Sequence, residues 1–215
     1  FIYERNGNVW DFVVKFIGET IYNAFGYNCA IYGNTAIVIS NQNDTSKGAA
    51  YIYTRTGTTW STTPYKIPGE ANYDYLSAVS VSGNTIVLGT HYNDSVGTSS
   101  GAVYIYTGSG TSWVKQTEIN GAAGESWGRD VSISGDILSF TSTLGKSYIY
   151  KRSGTTWTQQ VEIIGVASDS FGNSVAIDGD YAIVGARDED TGGSTDAGAA
   201  YIYKQTPILP SLSYG

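Results

Sequence analysis

One recurring tripeptide constrains this chain more than any other feature. Tyr-Ile-Tyr stands at Tyr51–Tyr53, Tyr104–Tyr106, Tyr148–Tyr150 and Tyr201–Tyr203, and Phe1-Ile2-Tyr3 is a variant copy. The copies start 50, 53, 44 and 53 residues apart, and Trp10, Trp60, Trp113 and Trp157 each lie nine residues after a start. The intervening turns are rich in Gly, Ser and Thr: Asn6-Gly7-Asn8, Thr56-Gly57-Thr58, Gly108-Ser109-Gly110 and Ser153-Gly154-Thr155. A period near 50 containing several short apolar runs is the pattern of a propeller in which each repeat builds one blade.

Each unit reads as four short antiparallel strands. In the clearest copy Ser174–Ile177 alternates, Asp178-Gly179-Asp180 turns and Tyr181–Val184 runs apolar. Gly-Asn or Gly-Asp between β-branched runs is a strong hairpin signal. It recurs at Gly33-Asn34, Gly83-Asn84 and Gly135-Asp136. A longer loop leads to the Tyr-Ile-Tyr strand, and the strand carrying the Trp closes the unit. A second landmark is an aromatic followed by glycine, at Phe25-Gly26, Trp127-Gly128 and Phe171-Gly172, with Tyr75-Leu76 as the degenerate copy. The expected fold is all-β, a propeller of four-stranded blades over residues 1–205. Blades fall at about 24–68, 73–119, 126–164 and 170–205, residues 1–17 supply the last two strands of a blade, and 206–215 form a tail. The Tyr and Trp rings are expected to fill the gaps between blades.

Composition agrees and removes alternatives. The 215 residues include 27 Gly and 18 Tyr, with 41% hydrophobic, 13% aromatic and 14% charged residues. That is too apolar and too weakly charged for a disordered chain, and no run is long enough for a transmembrane helix. A net charge of -7 without basic clusters argues against nucleic acid as a partner and against direct membrane insertion. The single cysteine, Cys29, precludes an internal disulfide, and the strand pattern places it as a small buried hydrophobe.

These landmarks resemble the FG-GAP repeat family, which includes the propeller of integrin α subunits and many microbial and viral surface proteins. The similarity is best in Phe171–Ile177, Ile183–Arg187 and Gly198–Tyr203, where Arg187 stands in place of the family's proline. The other units keep the spacing but lose the Gly-Ala pair, reading Ile39-Ser40-Asn41, Gly89-Thr90-His91 and Phe140-Thr141-Ser142. The resemblance implies an extracellular or surface-exposed module. It also raises calcium, which integrin-like members bind between the first two strands. Here that connection is a tight hairpin, too short to supply six to eight oxygens. A substitute metal set is expected at Asp188, Glu189, Asp190 and Asp196, in the longer loop between strands two and three.

The register is uneven: four copies each of strands one, two and four stand against five of strand three. Two arrangements fit. Either the ring closes with Trp10–Ile17 completing the last blade, or the chain is a window on a larger ring completed by further blades or subunits. The chain starts on Phe1 and not on Met, which points mildly to the second.

Catalytic motifs are missing. No Gly-x-Ser-x-Gly, His-Glu-x-x-His or phosphate-cradling loop occurs, and His91, the one histidine, reads as a surface loop residue. The topology sends the strand two-to-three loops and the blade connectors to one face. Eleven of the 19 acids belong to those segments, gathered with Tyr22, Tyr73, Tyr75 and Tyr92. The expected ligand-binding residues are Asp44, Tyr92, Asp94, Asp188 and Asp190. The expected function is non-catalytic recognition or adhesion, with a protein or glycan bound on this acidic, Tyr-bearing face. The alternatives are a structural part of a surface or virion assembly and, behind it, a carboxylate-based polysaccharide hydrolase or lyase.

Overall fold

The computed structural model describes residues 1–190 and 194–205; the expected tail at 206–215 lies outside them. The chain begins with a hairpin, β1 (Ile2–Asn6) and β2 (Val9–Val14). Blade 1 follows as β3 (Phe25–Tyr32), β4 (Thr35–Ser40), β5 (Ala49–Thr56), β6 (Thr59–Trp60) and β7 (Tyr65–Pro68). Blade 2 is β8 (Ala78–Ser82), β9 (Thr85–Thr90), β10 (Ala102–Ser109) and β11 (Ser112–Asn120). Blade 3 is β12 (Trp127–Ser134), β13 (Ile137–Ser142), β14 (Lys146–Ser153) and β15 (Thr156–Ile164). Blade 4 is β16 (Phe171–Asp178), β17 (Tyr181–Ala186) and β18 (Ala199–Lys204). Every sheet is antiparallel and paired in chain order, which makes the whole a four-blade β-propeller.

The local chemistry explains the sequence spacing. The two-residue turns between strands one and two place Gly33, Gly83, Gly135 and Gly179 at φ between 52° and 59°, where a side chain would be strained. The turn after Tyr-Ile-Tyr folds strand four back so that residues five apart oppose each other. Arg5 pairs with Trp10, Arg55 with Trp60 and Arg152 with Trp157. The guanidinium carbons of Arg55 and Arg152 lie 5.7 and 5.3 Å from their indole ring centroids. A bulge follows the central Ile in the β1–β2, β10–β11 and β14–β15 hairpins. In blade 1 the same place is widened until strand four breaks into β6 and β7 around Pro64, which lacks an N–H for the ladder.

No blade encloses a core of its own; the core lies between blades. The back face of blade 1 (Ile37, Ile39, Ala50, Ile52) packs on the front face of blade 2 (Val79, Val81, Ile86, Leu88, Tyr104, Tyr106). The back face of blade 2 (Ala78, Val87, Val103, Ile105) meets the front of blade 3 (Val131, Ile133, Leu138, Phe140, Tyr148, Tyr150). Blade 3 meets blade 4 through Ile149 and Ile163 against Phe171, Val175 and Val184. The β1–β2 hairpin covers blade 1 with Ile2, Val13, Val14 and Phe16, the last stacked on Tyr53 at 3.7 Å between ring centroids. The aromatic repeat is thus inter-blade packing, as expected.

A second tie runs along the innermost strands. Side chains of one first strand accept backbone N–H groups of the next. Ser80 Oγ takes Ile133 N (3.1 Å) and Ser82 Oγ takes Gly135 N (3.0 Å). One junction on, Asp130 Oδ2 takes Val175 N (2.8 Å), Ser132 Oγ takes Ile177 N (3.0 Å) and Ser134 Oγ takes Gly179 N (3.3 Å). The edge amides of β12 and β16 are thereby satisfied without a continuous sheet.

Connectors are fixed with equal care. Gly101, at φ 70°, bridges to Trp127, and a Cβ there would stand 2.1 Å from the Trp127 nitrogen. Gly101→Ala adds left-handed strain to this clash and is expected to cost about 2 kcal/mol or more. Ser132→Ala orphans the Ile177 amide and is expected to cost about 1–2 kcal/mol. Urea unfolding monitored by Trp fluorescence measures both.

Candidate functional site

The strand two-to-three loops emerge on one face beside the blade connectors, as the topology predicts. Their first task is internal. Asn43 Nδ2 donates to the Tyr51 hydroxyl (3.1 Å), and Asn93 Nδ2 donates to the Tyr104 hydroxyl (2.9 Å). The Tyr201 hydroxyl donates to Glu189 (2.6 Å). One loop position in three blades therefore holds the first Tyr of Tyr-Ile-Tyr. Blade 3 has lost this loop, and its Tyr148 packs against Trp127 at 4.5 Å between ring centroids.

The acids of this face prove to be largely paired. Among the connector acids, Glu19 meets Lys66 (2.9 Å), Glu70 meets Lys115 (2.7 Å) and Glu125 meets Lys146 (3.6 Å). Glu19 also accepts from the Tyr51 hydroxyl, and these two bonds hold its carboxyl below the usual range. Asp74 is buried, accepts from Asn93 (3.0 Å) and the Ala71 amide (3.1 Å), and is raised by burial. The acidic face expected from counting carboxylates is thus a set of local ion pairs and turn caps.

The expected binding residues follow the same pattern. Asp44 is exposed and pairs with Lys47 (3.7 Å) in a turn whose Asp44, Thr45 and Ser46 all have positive φ. Asp94 Oδ1 accepts the Ser99 amide. Asp188 accepts from Arg187 Nε (2.8 Å) and Ser170 Oγ (2.5 Å), which pull its pKa down to about 2. Asp190 accepts the Asp196 amide (2.8 Å). Asp188, Glu189 and Asp190 therefore each accept from a different donor. Among the described residues no three His, Cys, Asp or Glu side chains gather to hold a metal ion. In the loop expected to hold calcium, the Asp188, Glu189 and Asp190 carboxylates accept hydrogen bonds from neighbouring groups.

Tyr92 is different. It is half exposed, with its ring 5.6 Å from Tyr75 in an edge contact and 4.1 Å from His91. Tyr75 reaches this place through a one-residue shortening of blade 2. Ser126 and Tyr75 occupy matching positions, their amides donating to Ser99 O (2.8 Å) and Ser46 O (2.9 Å), each at φ 51°. Leu76, not Tyr75, then fills the buried aromatic position, and the tyrosine is left to pack against Tyr92.

Tyr92 borders an open cavity of about 660 Å³ reached by all four blades. Its wall includes Tyr27, His91, Tyr92, Arg129, Asp130 and Asn173. Arg129 Nη2 donates to Asn173 Oδ1 (2.6 Å), and among the described residues no carboxylate forms a salt bridge with it. Asp130 spends one oxygen on Val131 N (3.0 Å) and the other on Val175 N, and burial raises its pKa. His91 is not the surface residue expected: Nδ1 is buried without a partner, and burial, aided by the Arg129 charge, lowers its pKa to about 4. Arg129 is the residue that motif reasoning missed. The available signal was the position two after the aromatic, which reads Tyr27, Arg129 and Asn173 while its neighbours repeat.

Comparison with known proteins now bears on this geometry. The FG-GAP repeat pattern matches residues 69–106 and 157–203. The chain is a β-propeller, and the FG-GAP repeat pattern is found in these two parts of it. Among curated proteins no sequence matches it significantly. Among solved structures it is similar to the crystal structure of the computationally designed Ika4 protein, with a TM-score of 0.56. That similarity, at 12% identity, covers 90% of this chain and 98% of the other, and it concerns the fold alone. No helix is long and apolar enough to cross a membrane among the described residues.

A depressed histidine pKa has a definite sign. His91 is neutral in the folded chain down to about pH 4, whereas the unfolded chain takes up its proton near 6.5. Its contribution is complete above pH 6.5 and is lost as pH falls toward 4. His91→Gln is expected to flatten the fall of melting temperature across that window, relative to wild type at matched ionic strength.

Proposed function

We propose that this chain is a non-catalytic recognition or adhesion module, secreted or surface-displayed, whose ligand rests on the loop face around the axial cavity. The observation that carries the reading is the cavity wall. Four blades deliver a half-exposed tyrosine, an arginine that forms no salt bridge among the described residues and the amide side chains Asn28 and Asn173 to one opening. Polar groups on fixed loops beside an aromatic ring suit a polar ligand with hydroxyl and carboxyl groups, and we favour a glycan over a protein surface. Acid–base chemistry finds little support, since Asp130 has both oxygens on backbone amides.

This refines the expectation built on Asp44, Asp94, Asp188 and Asp190. Those carboxylates shape the loops, and Tyr92 and Arg129 carry the contact. A broad glycan array supplies the probe. Arg129→Ala and Tyr92→Ala are each expected to weaken the best array signal by about tenfold or more, the loss of one charged or aromatic anchor. Asp188→Asn with Asp190→Asn should leave the signal within about twofold. Absence of any array binding defeats the glycan reading, and loss only in the Asp188/Asp190 variant moves the site to the blade 4 loop.

A further inference from the structure

The front face of blade 1 is incomplete in a way the other blades define. Cys29 is exposed and Ile31 is 58% exposed, whereas their counterparts are covered by the preceding blade: Val81 is 8% and Ile133 6% exposed. The β1–β2 hairpin covers the outer half of this face, in the place that strands three and four of a preceding blade would take. Its pairing supports that position, since its Ile2/Tyr3 bulge repeats the Ile105/Tyr106 and Ile149/Tyr150 bulges. Yet β1 pairs only with β2, whereas the Tyr-Ile-Tyr strands β5, β10 and β14 are each paired on both sides. Between β1 and the inner half of blade 1 lies an apolar cavity of about 1420 Å³. Phe1, Ile2, Cys29, Ile31 and Val38 are among its walls.

We infer that this cavity is a docking site for a two-stranded β-hairpin, which adds edge-on to β1 and packs an apolar face on Cys29 and Ile31. Three observations specify the occupant. The free edge of β1 demands a strand and not a helix, because its backbone groups must be paired on burial. The room left beside β1 takes two strands and not three, since β1 already holds the third place. The innermost strand of the occupant carries Ser, Thr or Asp at alternate positions. At the two later junctions such side chains accept the N–H groups of Ile133 and Gly135, and of Ile177 and Gly179, which correspond to Ile31 and Gly33. β8–β9 of this chain has that pattern, with Ser80 and Ser82 on the face that bears Ala78 and Val87.

The chain therefore supplies its own probe. Residues 75–103, which contain no cysteine, are duplicated and joined through Val103 directly to Phe1. This repeats the natural passage from strand two through the loop to strand three. Cys29, the single thiol, reports coverage. Its modification by an aromatic disulfide reagent is expected to slow by at least ~10-fold in the extended chain, with a rise in melting temperature. The same extension with Asp at the duplicated Val87 position should react at the unextended rate. An unchanged rate in the extended chain overturns the inference. So does protection of the unextended chain as its concentration rises, which would make a second copy the occupant.

Discussion

A four-stranded blade has two apolar faces and no means to bury either alone, and everything else in this molecule answers that constraint. The back faces of blades 1, 2 and 3 are each matched to the next front face, large Tyr rings against Ile and Val at the first two junctions. Ile37 and Ile52 on one sheet meet Tyr104 and Tyr106 on the next. Packing of this kind is strong but unspecific about axial position. The hydroxyls of Ser80, Ser82, Ser132 and Ser134, with the Asp130 carboxylate, supply the missing register by accepting the neighbour's amides. The glycines at connectors allow the close approach that this register needs, as Gly101 does beside Trp127.

The same constraint decides what the loops do. Once sheets stand face to face, the Tyr hydroxyls at their edges need partners, and the loops provide them. Asn43, Asn93 and Glu189 are used in this way, and the Lys–Glu pairs fix the connectors behind them. Carboxylates that look like a binding face in a linear count are therefore largely consumed in holding the scaffold. What remains presented is the exception at each blade's axial end, where Tyr27, Arg129 and Asn173 differ among otherwise similar units.

The blades were legible because each landmark has a local cause. Nine residues from Tyr to Trp is the length of one strand, one turn and a cross-strand step, and Gly-Asn or Gly-Asp is turn chemistry wherever it occurs. Cys29 and His91 were misplaced for the opposite reason. A strand pattern says that Cys29 faces a neighbouring sheet, but not whether that sheet is there. A lone histidine in a loop carries no sign that its Nδ1 will be buried. Tyr75 was paired with the wrong landmark because one bulge residue is absent from blade 2, and a side-chain period of two turns a one-residue shift into the opposite face.

By itself, then, the sequence determined the blade: its strands, its turns, its aromatic faces and its repeat. These depend on interactions within about a dozen residues, and their signals lie side by side in the chain. Only the tertiary structure decided which acids are spent, that Tyr75 packs against Tyr92, that Arg129 stands at a shared opening, and which half of blade 1 lies bare. The longest of these contacts, Glu19 with Lys66, Glu70 with Lys115 and Arg129 with Asn173, join residues 44 to 47 positions apart, and no local pattern encodes a meeting of that kind.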